Sequence, residues 1–237
     1  MNKVILAVGA HPDDMEFGAA GTIVRRVKEG FDAYLIIATD GSRGSDDPKM
    51  THKSLAQIRR REAENAGKVL GVKKVFFLNH PDTELVADLK LKEEIVRIIR
   101  TVRPNIVVTM DPTFYYSASF FADRGFINHT DHRAASQATM DAVFPLSRDR
   151  LTFLEHEKEG LKPHKVEELL LVSFDKIDYL VDISTSIDTK IRALSRHKSQ
   201  FSDFKQVEKR VRERAKKLGE KKNYGFAENF VRIKLAS

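Results

Sequence analysis

The 237-residue chain contains no cysteine. That excludes disulfides, thiolate zinc sites and cysteine nucleophiles together, and it leaves the redox compartment unread. Any metal must then be held by His, Asp and Glu. No apolar run approaches the ~18 residues of a membrane-spanning helix. Internal repeats, low-complexity tracts and a clean linker are also missing, so one domain over residues 1–237 is expected. The first ten residues carry one Lys and then an apolar stretch ending in small residues. That stretch is too short for a secretory signal, and cleavage after Ala10 would remove a strand. A cytoplasmic protein is the expectation.

Charge of one sign is scarce outside one segment. The formal net charge is +7, but Lys205–Lys222 holds nine Lys/Arg and three Glu, which accounts for +6 of it. The surface as a whole is therefore not basic. The segment has sparse aromatics, mixes Glu with its Lys/Arg and accompanies no nucleic-acid motif. It reads as a solvated helix face or a homo-oligomer contact, and no nucleic-acid partner is expected.

What the chain does have is alternation. Apolar runs at Lys3–Val8, Ala33–Thr39, Lys74–Leu78 and Asn105–Thr109 read as buried strands. Between them, 17–29, 54–70 and 89–102 carry helical spacing and end at Gly30, Gly71 and Pro104. This order predicts an α/β fold: a Rossmann-like, mostly parallel sheet with helices on both faces. Further on, 129–144, 184–199 (capped by Ser184) and 207–218 read as helices, and 167–174, 179–183 and 226–235 as strands. The aromatic-rich connection 111–128 and the stretch 151–165 lack periodicity, and 111–128 has the length of a lid or binding loop.

The strand ends should line up along the C-terminal edge of the sheet, where open α/β sheets present their chemistry. There lie His11-Pro12-Asp13-Asp14-Met15-Glu16, Asp40-Gly41-Ser42, His80-Pro81-Asp82 and Asp111-Pro112. A turn can bring His11 and Asp14 onto one ion. In Asn128-His129-Thr130-Asp131-His132, the two histidines are three apart and share a face. A catalytic zinc takes three protein ligands and keeps a position for water. His11 and Asp14 supply two, and either later histidine can supply the third.

The paired motifs resemble the two signatures of the LmbE-like, or PIG-L, family of zinc-dependent N-deacetylases. Arg59-x-x-Glu62 before Leu70-Gly71 matches as well. The resemblance implies hydrolysis of an N-acetyl group on an N-acetylglucosamine-type sugar or conjugate. It implies His11, Asp14 and His132 as metal ligands for Zn2+, with Fe2+ or another divalent ion as the alternative. It makes Asp13 the base on the water and His129 an acid or oxyanion stabiliser, best as imidazolium. Asp131 would orient an imidazole, that of His129 first. Arg59, Asp82 and His197 are candidate substrate contacts, and Asp40 and Ser42 weaker ones. Against each stands a plainer role: an ion pair within Arg59–Glu62, a turn carboxylate at Asp82, a helix-end histidine at 197. Glu16 is left a supporting or helix-start role. His52, His80, His156 and His164 read as surface or loop histidines. Thr130 stands where the family often has Pro, and Ile127 where some members have Tyr.

Two alternatives remain among enzymes and binding modules. One is a metal-dependent hydrolase of another amide. The other is a Rossmann-like nucleotide-binding module, for which Gly9, Gly18 and Gly21 give superficial support while carboxylates in the first turn would repel a diphosphate. A basic binding protein working through Lys205–Lys222 is a third class.

Overall fold

The computed structural model describes residues 3–121, 124–176 and 178–236. Its first half alternates as expected: β1 (Val4–Gly9), α1 (Asp14–Gly18), α2 (Ala20–Lys28), β2 (Asp32–Thr39), α3 (His52–Leu70), β3 (Lys74–His80), α4 (Leu89–Val102) and β4 (Ile106–Met110). A hairpin of β5 (Tyr116–Phe121) and β6 (Arg124–Ile127) follows, then α5 (Thr130–Asp141) and the short α6 (Glu155–Lys158). The chain finishes with β7 (Glu168–Val172), β8 (Tyr179–Asp182), α7 (Ile187–Leu194), α8 (Phe204–Gly219) and β9 (Ala227–Lys234).

The main sheet runs β3-β2-β1-β4-β7-β9-β8. Strands β3, β2, β1, β4 and β7 pair in parallel, whereas β9 is antiparallel to both β7 and β8. Alternation along β1 sends Ile5 and Ala7 to one core, with Met15, Ile23, Val108 and Phe230. Leu6 and Val8 go to the other, with Leu91, Ile95, Ile99 and Ala138. Both faces of the sheet are thus covered, which is why its strands read as unbroken apolar runs. The chain leaves β1 toward β2 and β3, then returns to place β4 on the other side of β1. The crevice at the ends of β1 and β4 is the switch point where such sheets hold ligands.

Caps set several helix ends. The Thr51 side chain accepts the Ser54 N–H while Ser54 accepts that of Thr51, and Gly71 closes α3 at φ +78. Asp88 accepts the Leu91 N–H at the start of α4.

Four local expectations differ. The helix expected over 17–29 is two helices broken at Ala19. The N–H groups of Gly21 and Thr22 donate to the Glu228 carboxylate at 2.9 and 2.7 Å, so the second helix starts on a partner from β9. The connection 111–128 holds the β5–β6 hairpin, with Ala122 and Asp123 outside the described residues. Ser184 does not cap α7: its N–H and hydroxyl donate to Asp182, and the helix begins at Ile187. His156 is fully buried, 2.6 Å from Glu93, beside an Arg100 that donates to five backbone carbonyls between Leu146 and Phe153.

Candidate metal centre and active site

The turn after β1 doubles back on itself. A Cβ on Gly9 would lie 3.0 Å from the Asp14 Cβ, so any larger residue there would crowd Asp14. The Ala10 and His11 N–H groups donate to Asp14 Oδ2 at 2.8 and 2.9 Å. Between them Asp13 adopts φ 116°, ψ −20°, a conformation costly for any side chain but glycine. The reversal separates the two carboxylates. Asp14 turns inward, with Oδ1 3.1 Å from His132 Nε2, while Asp13 lies against Arg59.

The far nitrogens of both histidines are tied. His11 Nε2 lies 3.1 Å from Asp82 Oδ1 and 3.2 Å from Asp131 Oδ2, so it carries a hydrogen, and Nδ1 is the atom turned to Asp14, 3.8 Å from its Oδ2. His132 Nδ1 donates to Asn128 Oδ1 at 2.9 Å; the amide's orientation is set by its Nδ2 donating to the Phe114 carbonyl. The Nε2 of His132 therefore faces an Asp14 carboxylate oxygen at 3.1 Å. A proton on Nε2 satisfies that contact in the metal-free protein, and a shared cation satisfies it when the ring is neutral. The donor atoms of His11, Asp14 and His132 lie within 4.8 Å of one another. This donor set, with partners behind each imidazole, fits a divalent metal of the zinc type.

Charge agrees with geometry. Without a metal, burial opposes the His11 imidazolium, but Asp131, Asp14 and Asp82 push its pKa up to about 12. Burial likewise opposes the Asp14 carboxylate, yet His132 and His11 hold its pKa well below the usual range. A second group, His11, Asp82, His129 and Asp131, is equally close-set. There the hydrogens are accounted for: Asp131 accepts from Thr83 and Leu85 N–H, and Asp82 from Arg43 N–H. We assign that group to hydrogen bonding.

Asp13 and Arg59 form the adjoining wall. Arg59 donates to the Pro12 carbonyl at 2.7 Å, the Gly41 carbonyl at 3.1 Å and Asp13 Oδ1 at 3.2 Å. Gly41 has φ +62°, and a Cβ there would meet the guanidinium at 2.9 Å. Burial pushes the Asp13 carboxyl up to about 6, against Arg59 and His197 and with the help of Asp14 and Glu16. Arg59 does not pair with Glu62, which accepts the Ser199 N–H and hydroxyl at 2.8 and 2.7 Å.

The remaining candidates move from their expected places. His129 Nδ1 accepts the Asp131 N–H at 3.1 Å, so its proton sits on Nε2. Burial and the neighbouring His11 lower its pKa. Both favour a neutral His129 that donates from Nε2, where an imidazolium was expected. Asp131 aims its carboxylate at His11, at 3.2 Å, while His129 Nδ1 lies 3.9 Å from it and accepts instead from the Asp131 backbone. Asp82 borders the cleft, but both its oxygens are engaged, by His11 and Arg43. Asp40 is a turn carboxylate accepting from Ser42 and Asp82 N–H. His197 is not a surface residue, and it is not among the residues that line the cleft. It is fully buried, 3.6 Å from a buried Glu16. Asn128 has a part that sequence reasoning did not assign, and its place beside His129 was the only signal.

His11, Asp13, Asp14, His129 and His132 line one side of a cleft of about 360 Å³, with Phe17, Arg43, Gly44 and Arg59 around it. The nucleotide-binding alternative fails here. The backbone donors that a phosphate needs at this turn already serve Asp14.

A family model described as PIG-L, GlcNAc-PI de-N-acetylase, matches residues 6–143. The chain belongs to this family. Diacetylchitobiose deacetylase of Thermococcus kodakarensis is 34% identical over 206 residues, covering 85% of this chain and 71% of that protein. A probable N-acetyl-alpha-D-glucosaminyl L-malate deacetylase 2 of Bacillus anthracis is 26% identical over 210 residues, 84% of this chain and 81% of that protein. Among solved structures, the inhibitor complex of N,N'-diacetylchitobiose deacetylase from Pyrococcus horikoshii matches with TM-score 0.88 at 30% identity. It covers 98% of this PIG-L chain and 84% of its own.

Proposed function

We propose that this chain is a zinc-dependent hydrolase that removes the acetyl group from an N-acetylglucosamine unit of a small sugar or conjugate. The observation that carries the reading is the convergence of the His11, Asp14 and His132 donor atoms, within 4.8 Å of one another, beside a strained Asp13. The N-acetylglucosamine unit is the part common to the substrates named for the family and its relatives.

His11, Asp14 and His132 would hold the metal, whose bound form supplies Lewis acidity, lowering the pKa of water to about 7 and polarising an amide carbonyl. Asp13 takes the water's proton; with its pKa raised toward neutrality by burial, it both accepts and returns that proton readily. Arg59 keeps the Asp13 carboxylate in place. His129 donates Nε2–H to the former carbonyl oxygen as negative charge develops on it. The departing amine takes its proton from Asp13, because His129 has no spare one: releasing Nε2–H while Nδ1 accepts from Asp131 would leave an imidazolate. Asp82 and Asp131 hold the His11 ring, and Asn128 that of His132.

The test is acetate release from N-acetylglucosamine, N,N'-diacetylchitobiose and unrelated N-acetyl amines. It is run on protein stripped by chelator and then reloaded with zinc or iron. Sugar-selective, metal-restored release is expected. Activity that survives chelation, or that is equal on non-sugar amides, would overturn the reading.

A further inference from the structure

Phe17 has no part in the chemistry above, yet it lines the cleft one turn after Asp14. It is 39% exposed, while Asp14, Met15 and Glu16 beside it are buried. Its backbone is held firmly. The Phe17 carbonyl accepts from Lys190 Nζ at 2.6 Å, and Lys190 is buried against Glu228. Its ring forms a T-shaped contact with that of Phe201, with centroids 5.8 Å apart at 85°, and Phe201 in turn meets Phe204 at 5.8 Å. Phe201 follows a segment fixed from both sides: Ser199 is tied to Glu62, and Gln200 reaches the Gly44 carbonyl at 3.5 Å. Three rings are therefore in successive contact, beginning at the cleft with one that is partly open to water.

We infer that Phe17, backed by Phe201, is a stacking platform for a second pyranose ring joined to the N-acetylated sugar. This rests on the deacetylase reading. One face of a β-linked pyranose is a patch of C–H groups, whose positive edges suit the negative face of an aromatic ring. The contact with Phe201 limits the rotamer freedom that the Phe17 ring must give up on binding. The cleft of about 360 Å³ is near the lower end for small-ligand sites, of about 300–1,000 Å³. A second ring would lie against Phe17 at the rim of that cleft.

The test compares wild type with F17A and F17W, each zinc-loaded, on N-acetylglucosamine and N,N'-diacetylchitobiose. F17A should raise KM for the disaccharide on the order of tenfold, with a much smaller effect on the monosaccharide and on kcat. F17W should restore the disaccharide KM. The sequence has no tryptophan, so F17W also carries a single fluorophore. Its emission should shift on titration with chitobiose, the deacetylated disaccharide that is not turned over, and less with glucosamine. Equal losses on both substrates, or an emission indifferent to chitobiose, would overturn the platform. If wild type deacetylates neither sugar while F17W still senses chitobiose, the deacetylase reading falls and the platform stands.

Discussion

Replacing Asp13 with Asn separates catalysis from stability in one step. Asn keeps the size of the side chain and tolerates the left-handed backbone that Asp13 adopts at φ 116°. It removes the proton acceptor, so kcat should fall by about 10²–10⁴, while zinc still binds through His11, Asp14 and His132. The stability effect has the opposite sign. In the metal-free protein burial raises the Asp13 pKa from 3.8 to about 6. A folded pKa above the unfolded one means that the group favours the fold when protonated, below about pH 4. That advantage is lost as pH rises through about 6.

The shift corresponds to about 3 kcal/mol of destabilisation by the ionised carboxylate at pH 8. The Arg59 contact is already included, since it opposes the rise. Asn cannot ionise. Metal-free D13N should therefore be more stable than metal-free wild type by up to about 3 kcal/mol at pH 8. For a chain of this size that is about 6–12 °C in Tm. At pH 4 the two should melt together. Thermal melts of chelator-stripped proteins at both pH values, alongside acetate release from the zinc-loaded forms, decide the matter. A D13N protein that is less stable than wild type at pH 8, or that turns over at the wild-type rate, would refute the argument.

Three further outcomes follow from the same contacts. Asp14→Asn or His132→Ala should drop zinc content from one per chain to well below one by elemental analysis. Either should also abolish the thermal stabilisation by excess zinc, about 4 kcal/mol at a thousandfold over Kd in the intact site. Asp131→Ala removes one acceptor from His11 Nε2 and leaves the Thr83 and Leu85 N–H groups without their carboxylate. Zinc affinity should fall about 10–100-fold in a chelator competition, and an unchanged Kd would remove Asp131 from the metal's support. Lys190→Met strands Glu228 in a buried site, 2.6 Å from where the ammonium lay. Urea unfolding should show a loss of about 3–5 kcal/mol, and a loss below 1 kcal/mol would mean that the Gly21, Thr22 and Thr22 hydroxyl donors suffice for Glu228.

The parallel core was legible because burial on both faces writes itself as apolar runs: β1, β2 and β4 lie within a residue or two of where Val, Ile and Leu place them. The break at Ala19 was not legible, because its cause, Glu228, is more than 200 residues away in sequence. The β5–β6 hairpin was hidden for a related reason. Its strands show no clean two-residue alternation, and the partner that decides their state is each other. Burial of His156 and His197 was invisible too. An isolated imidazole in a charged stretch carries no local mark of the Glu93 or Glu16 that meets it.

At the site, residue identity was easier to read than direction. Asp13 and Asp14 are adjacent and chemically identical, and nothing in their order says which faces inward. The backbone decides it. Asp14 can accept the Ala10 and His11 N–H groups only if the turn closes tightly, and the turn closes tightly only if Asp13 takes a positive φ. The strain at Asp13 is thus the cost of putting Asp14 on the ion, and the same strain carries the Asp13 carboxyl to Arg59, where burial raises its pKa. Asp131 shows the converse. Its position two residues after His129 pointed to that ring, yet at the start of α5 the backbone N–H takes His129, and the carboxylate is free to cross to β1's histidine. Spacing along a chain tells which side chains can meet; hydrogen-bond demand at the turn tells which atom of each one does.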